Sequence, residues 1–298
     1  MQNRDAFSAY HPIVNFLYFA LVFGYTMVFM HPVCLLISLG SAIWYYLHLR
    51  GMAALRFLLR IVMPSLLLAA LINPAFNHQG KIFLCYLPTG NPLTLESILY
   101  GLAAGCMLAA VLLWFACYSE IMTSDKFVYL FGRIIPALSL VLSMALRFVP
   151  KCKAQLDEIR EAQACIGRDT ATGSVFQRFK NALTCFSVMV TWALEDAIET
   201  ADSMKSRGYG LPGRTAFSIY TFSARDRSAI IWLMFCGWML FFGNLSGQLF
   251  WRWFPSVRGL LAEPMTIWCE MVYLLLCVTP LFLDYREEKV WKRLQSGI

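Results

Sequence analysis

The chain has 298 residues, of which 59% are hydrophobic and only 14% charged, with a mean hydropathy of +0.58; a soluble domain is nearer about half apolar and a quarter charged. A water-soluble fold of this size has too little interior to hide that excess, which excludes an ordinary globular core and makes lipid the second solvent. The net charge of +7 sits on Lys and Arg scattered over short loops rather than gathered on one soluble face, which speaks for membrane orientation and against a nucleic-acid partner.

The first residues, Met1 to Pro12, are polar and lack a small-residue cleavage site, so the apolar run behind them reads as a retained span. A helix must supply roughly 17 to 25 mostly apolar residues to cross a bilayer. Six segments meet that need: Ile13 to Met30, Pro32 to Leu47, Leu55 to Leu71, Ser97 to Tyr118, Ser228 to Leu245 and Met265 to Leu283. His31 and Pro32 mark a tight reversal between the first two, and Arg56 and Arg60 sit where they can snorkel toward headgroups. The expected fold is an all-α polytopic membrane protein of about six transmembrane helices with long cytoplasmic helices added. With the N-terminus inside, Lys81, Arg252 and Arg258 are the basic residues left in outer loops, so positive charge favours cytoplasmic N- and C-termini in the plasma membrane. Trp251, Trp253 and Trp291 read as interfacial anchors.

Three parts follow: membrane helices over 1–118, a cytoplasmic, partly membrane-associated region over 119–227, and membrane helices with a basic tail over 228–298. Within the middle part, Phe127 to Phe148 is apolar but carries Arg133, Pro136 and Arg147, and reads as a half-embedded helix rather than an extra span. Past Pro150, Cys152, Leu156, Ile159, Gln163 and Ile166 recur at helical steps. Lys153, Asp157, Arg160 and Glu161 occupy other faces of that helix, and Gly167 is a stop. A second helix from Ser174 to Arg207 carries Phe186, Val190, Ala193, Ala197, Ala201 and Met204 on one stripe. Ala193, Ala197 and Ala201 form a small-residue surface that lets another helix cross closely. Lys205 and Arg207 suit the negative end of the helix dipole, and Gly208 suits a left-handed cap.

The chemistry of common enzymes is missing. No Gly-x-x-x-x-Gly-Lys-Ser/Thr phosphate loop, Gly-x-Ser-x-Gly or His-Glu-x-x-His occurs, so the chain reads as a non-enzyme without cofactor. The ten cysteines form no Cys-x-x-Cys pair and no His stands at metal-ligand spacing, so they read as small apolar residues and no metal site is expected. His11, His31, His48 and His78 fall near span ends, where an interfacial role is the default. Glu270, in the last span, reads as a paired residue rather than a transport site. An alternative reading makes Glu195, Asp196 and Glu199 the acids of a membrane-embedded enzyme acting on lipid, though the solvated side of an amphipathic helix explains them more simply. A self-sufficient permease is disfavoured by the scarcity of charge within the spans.

Three stretches resemble a known family, the transmembrane T component of energy-coupling factor (ECF) transporters, called EcfT or CbiQ, in order and motif across most of the chain. They are Tyr10-His11-Pro12-Ile13-Val14-Asn15, then Leu146-Arg147-Phe148-Val149-Pro150 followed by Asp157 to Gln163, and Asp202-Ser203-Met204-Lys205-Ser206-Arg207-Gly208-Tyr209-Gly210. The resemblance implies a subunit whose two cytoplasmic coupling helices sit on a pair of ABC-type ATPases, an Arg near each helix end entering a groove on one ATPase. It also implies a small membrane S component on the opposite face that selects the substrate, a vitamin or transition-metal ion, and is tilted when nucleotide closes the ATPases. Ser206, Arg207 and Gly208 match the second coupling motif. At the first, Ala164-Cys165-Ile166-Gly167-Arg168 departs from it, with Ile166 where Arg is expected. Either Arg160 or Arg168 substitutes, or that contact is apolar and the two ATPase sites are not equivalent.

Overall fold

In the computed structural model, which describes residues 5–77, 80–86, 92–132, 136–211, 220–259 and 263–295, the chain divides into two compact units, 1–123 with 220–298, and 124–219. The first unit opens with a short turn of 3-10 helix, Phe7–Ala9, and then α1, Pro12–Val28. His11 caps α1, its Nδ1 accepting from the Ile13 amide at 3.3 Å, and Pro12 fills a first-turn position that lacks an intrahelical partner in any case. The His11 amide donates to Asp226 Oδ1 at 2.9 Å; Asp226 also closes a capping box with Ser223 at the start of α9, Ala224–Leu245. One carboxylate thus fastens the start of α1 to the start of α9.

Pro32 starts α2, Pro32–Arg50, after the reversal at His31. The third apolar segment is α3, Met52–Phe57, and α4, Met63–Phe76, joined without a break through a π-helical turn over Leu58–Val62. Pro64 has no N–H to give the preceding turn, and the wider turn absorbs that loss. A two-stranded hairpin, β1 Phe83–Tyr86 with β2 Pro92–Thr94, leads into α5, Leu95–Ile121. A second hairpin, β3 Trp251–Arg252 with β4 Arg258–Gly259, precedes the last helix, numbered α10 after the α6 to α8 of the second unit, at Pro264–Gln295.

Among the described residues, five helices are long and apolar enough to cross a membrane by length and composition: Pro32–Arg50, Met52–Phe76, Leu95–Ile121, Ala224–Leu245 and Pro264–Gln295. The sixth apolar segment, Pro12–Val28, is a helix of 17 residues. The chain is an all-α polytopic membrane protein, its two hairpins aside. Apolar side chains such as Leu67, Leu68, Leu71, Phe115, Phe235 and Phe242 face outward, as lipid contact demands.

Where helices meet, backbones approach closely or polar groups are mutually satisfied. Gly101 and Gly105, spaced as Gly-x-x-x-Gly on α5, let α4 lie so near that a Cβ on either would sit 2.8 Å from the carbonyl of Ala70 or Leu66. In the core, Thr26 Oγ1 meets Ser38 Oγ at 3.0 Å and Tyr273 Oη at 2.8 Å, and Trp114 Nε1 donates to Ser38 Oγ at 3.0 Å. Tyr18 donates to the Cys277 carbonyl at 3.0 Å and Tyr25 to the Gly237 carbonyl at 2.6 Å. With little water available inside the bilayer, such groups must find one another.

Charge collects at one end of this unit. Arg50 pairs with Glu120, Arg225 with Glu287 at 2.6 Å, and His48 Nε2 with Asp284 Oδ2 at 3.3 Å. At the other end Trp253 Nε1 donates to the Met30 carbonyl at 3.2 Å and Trp251 stands edge-on to His31, ring centres 5.1 Å apart. Two expected interfacial anchors therefore also pack on the α1–α2 reversal. His31 and His11 are buried rather than interfacial. His78 lies outside the described residues.

Candidate functional site

The second unit holds the residues singled out for coupling. Its helices are α6, Ser124–Gly132, α7, Pro136–Cys165, and α8, Val175–Ser206. The apolar stretch 127–148 is divided between α6 and α7, and residues 133–135 lie outside the described residues. The helix expected after Pro150 begins earlier: α7 runs unbroken through that proline. A proline removes one backbone bond and its ring crowds the preceding turn, yet a long helix bonded on both sides carries that defect.

α7 and α8 form an antiparallel hairpin. Phe148 stacks on Trp192 with ring centres 6.2 Å apart and planes 9° from parallel, Lys151 lies over the same Trp192 ring and pairs with Asp196. At the turn, Asn181 Nδ2 donates to the Asp169 carbonyl at 2.8 Å and Arg178 Nε to the Thr170 carbonyl at 3.1 Å. Ser174 caps α8 by accepting from the Gln177 amide at 3.3 Å.

The face of α8 turned inward follows Asn181, Cys185, Met189, Trp192 and Asp196, residues that are buried or half-buried. The expected crossing stripe lies elsewhere: Ala193 is half-buried, but Ala197 and Ala201 are exposed. Large side chains, Trp192 above all, were better anchors for this pairing than alanines, whose spacing alone does not say which neighbour they meet. The stripe continues outward along Phe176, Phe179, Leu183, Phe186 and Val190, all exposed, at alternating three- and four-residue steps. Asp196 is engaged with Lys151 while Glu195 and Glu199 are exposed, so the three acids do not converge on a catalytic centre.

Both helices end in the same backbone motif. At α8 the Gly208 amide donates to the Lys205 carbonyl at 2.9 Å and the Tyr209 amide to the Met204 carbonyl at 3.0 Å, with Gly208 at φ +79°. At α7 the Gly167 amide donates to Ala164 at 3.0 Å and the Arg168 amide to Gln163 at 2.9 Å, with Gly167 at φ +77°. These paired bonds are the Schellman closure, which needs a glycine in the left-handed region. The closures put Arg207 and Ile166 at corresponding capping positions, and Arg168 at the position of Tyr209.

Both capping side chains are exposed, Ile166 at 65%. Ser206 turns its hydroxyl back to the Ser203 carbonyl at 2.8 Å, and Arg207 is exposed at that tip together with Lys205 of the last turn. Arg160 is exposed as well, but stands on the last turns of α7 rather than at its cap. Since the hairpin is antiparallel, the caps lie at opposite ends of it, separated by the length of the 32-residue α8, about 48 Å at 1.5 Å per residue.

Several curated sequences similar to this chain are described as EcfT proteins. The energy-coupling factor transporter transmembrane protein EcfT of Bacillus subtilis is 34% identical over 106 residues, 35% of this chain and 40% of that protein. EcfT 1 of Listeria monocytogenes is 37% identical over 83 residues, 28% of this chain and 31% of its own length, and EcfT of Brevibacillus brevis 34% over 106 residues, 34% and 40%. Over about a third of its length this chain is similar to EcfT proteins. Its matched stretch spans at most about two fifths of these EcfT relatives, less than the resemblance in order and motif suggests. No protein-family model matches this EcfT-like chain.

Proposed function

We propose that this chain is the transmembrane coupling subunit of an ECF-type ABC importer, carrying the ATP-driven motion of two partner ATPases to a substrate-binding S component for uptake of a vitamin or transition-metal ion. The observation that carries the reading is the pair of equivalent helix caps, each exposed, at opposite ends of one hairpin. A single subunit that must touch two ATPases needs two separated contacts, and two exposed caps far apart support that reading. Arg207, held at the carbonyl end of α8, offers a charged anchor framed by small and apolar residues, the composition of an interface hot spot. Ile166 offers an apolar one, with Arg168 beside it, so the two contacts differ in kind.

The exposed apolar stripe of α8 from Phe176 to Val190, continued by Ala193, Ala197 and Ala201, supports docking of a hydrophobic S component. Long charged helices belong on the cytoplasmic side, in keeping with an inside N- and C-terminus and with the middle region 119–227 as the coupling part. Its apolar beginning, 127–148, is the portion we place partly in the membrane. ATP hydrolysis is assigned to the partners.

Arg207→Glu tests the reading. Co-purification of the ATPases is expected to weaken by at least about 30-fold, the effect of losing an anchor worth about 2 kcal/mol, while the variant still inserts. Unchanged assembly and uptake overturn the docking role of Arg207.

A further inference from the structure

We infer that His31, Cys34 and Glu270 form a binding site for a divalent metal ion of the zinc class, tying the α1–α2 reversal to α10. One ligand atom from each residue, an imidazole nitrogen, a thiol sulfur and a carboxylate oxygen, lies within 4.8 Å of the others. All three residues are buried, at 0%, 1% and 8% exposure. His31 precedes α2 and Cys34 lies in its first turn, while Glu270 reaches them from the first half of α10.

The chemistry of the set selects the ion. Calcium and magnesium take oxygen ligands; one sulfur, one nitrogen and one carboxylate suit zinc and its first-row neighbours. Ligand bonds of about 2.0–2.3 Å place neighbouring donors of a tetrahedral site about 3.3–3.8 Å apart. His31 Nδ1 and Glu270 Oε1 are 3.1 Å apart and all three donors lie within 4.8 Å, so a slight opening of that pair and a modest movement of the thiol complete the cluster.

Electrostatics points the same way. Among the described residues, buried Glu270 Oε1 has no well-formed hydrogen bond beyond its 3.1 Å contact with His31 Nδ1, which is costly for a carboxylate among apolar helices. A dication bound by the Glu270 carboxylate and the Cys34 thiolate gives a neutral cluster, the Cys34 proton passing to solvent as the metal binds. Three protein ligands leave the fourth position to water or an outside ligand. Trp251, edge-on to His31 at 5.1 Å, covers one flank.

The test uses the full-length chain purified in detergent, stripped with a chelator and titrated with Zn2+ against a competing chromophoric chelator. One tight site per chain is expected. Cys34→Ser and Glu270→Gln, both nearly isosteric, are expected to weaken it by more than about 100-fold, since even loss of a ligand's supporting partner costs about 10–100-fold. Cobalt gives a second readout: a thiolate-to-Co2+ absorption band present in the unmodified chain and in Cys106→Ser, and absent in Cys34→Ser. Absence of a tight zinc site, equal zinc affinity in Cys34→Ser, or a cobalt–thiolate band that survives that substitution overturns the proposal.

Discussion

Asp5 is a carboxyl held where water is scarce. The Tyr45 hydroxyl donates to its Oδ2 at 2.8 Å and the Phe7 amide to its Oδ1 at 3.3 Å, but burial and the neighbouring Asp284 carboxyl outweigh both and push Asp5 up to about 8. The folded chain keeps this proton over a range in which the unfolded chain, with an ordinary carboxyl near about 3.9, has released it. The stabilisation is therefore complete below the ordinary carboxylate range and is lost as pH rises through about 8. The melting temperature in detergent is expected to fall between about pH 5 and pH 8 more steeply for the unmodified chain than for Asp5→Asn; equal slopes refute the assignment. Neither Asp5 nor Asp284 stood out in the sequence, because they are 279 positions apart and their meeting depends on how the first and last helices are packed. His31, Cys34 and Glu270 escaped for the same reason: no local spacing announces a third ligand so far along the chain. Arg207, by contrast, was legible because its role as a cap is written in the adjoining Gly208.

Among elements, the apolar runs were the most legible, since lipid demands length and composition that a sequence displays directly. α1 falls at the short edge of that range, and α10 extends well past its span because the basic tail is itself helical. The sequence also marked where α8 begins and ends, at Ser174 and Arg207. It did not mark the start of α7, because a proline is a reliable stop only where neighbouring turns cannot hold the helix together. Nor did it show which face of α8 meets α7. Helical periodicity finds the stripes on a helix but not the partner of each, and here Trp192 and Asp196 settled the matter against the alanines. The contact of α4 with α5 lends itself to measurement: Gly105→Ala drives a methyl group against the Leu66 carbonyl, and is expected to cost about 1–3 kcal/mol in thermal or denaturant unfolding. Gly24→Ala, on α1 with nothing within 4 Å of the added atom, serves as the tolerated comparison.

For the whole molecule, the proposed coupling has two unlike ends. An arginine contact weakens with ionic strength, whereas an apolar one at Ile166 is largely indifferent to it. Native mass spectrometry of the complex at rising salt is therefore expected to show one ATPase contact loosening first, with Ile166→Asp abolishing the salt-resistant one and Arg207→Glu the salt-sensitive one. Identical salt profiles for both variants refute the asymmetry. Nothing in composition foretells such a difference; it came from a single residue standing at a cap whose backbone twin carries an arginine.

The antiparallel hairpin has a mechanical corollary. An α-helix is stiff along its axis, so the roughly 48 Å of α8 behaves as a strut of fixed length. Partners that draw the caps toward each other cannot shorten it, and the motion must appear as a change of angle where α7 and α8 cross. With arms of about 25 Å on either side, a turn of about 10° carries each tip roughly 4 Å, so a small scissoring at the stacked Phe148 and Trp192 becomes a displacement on the scale of a side chain at each end.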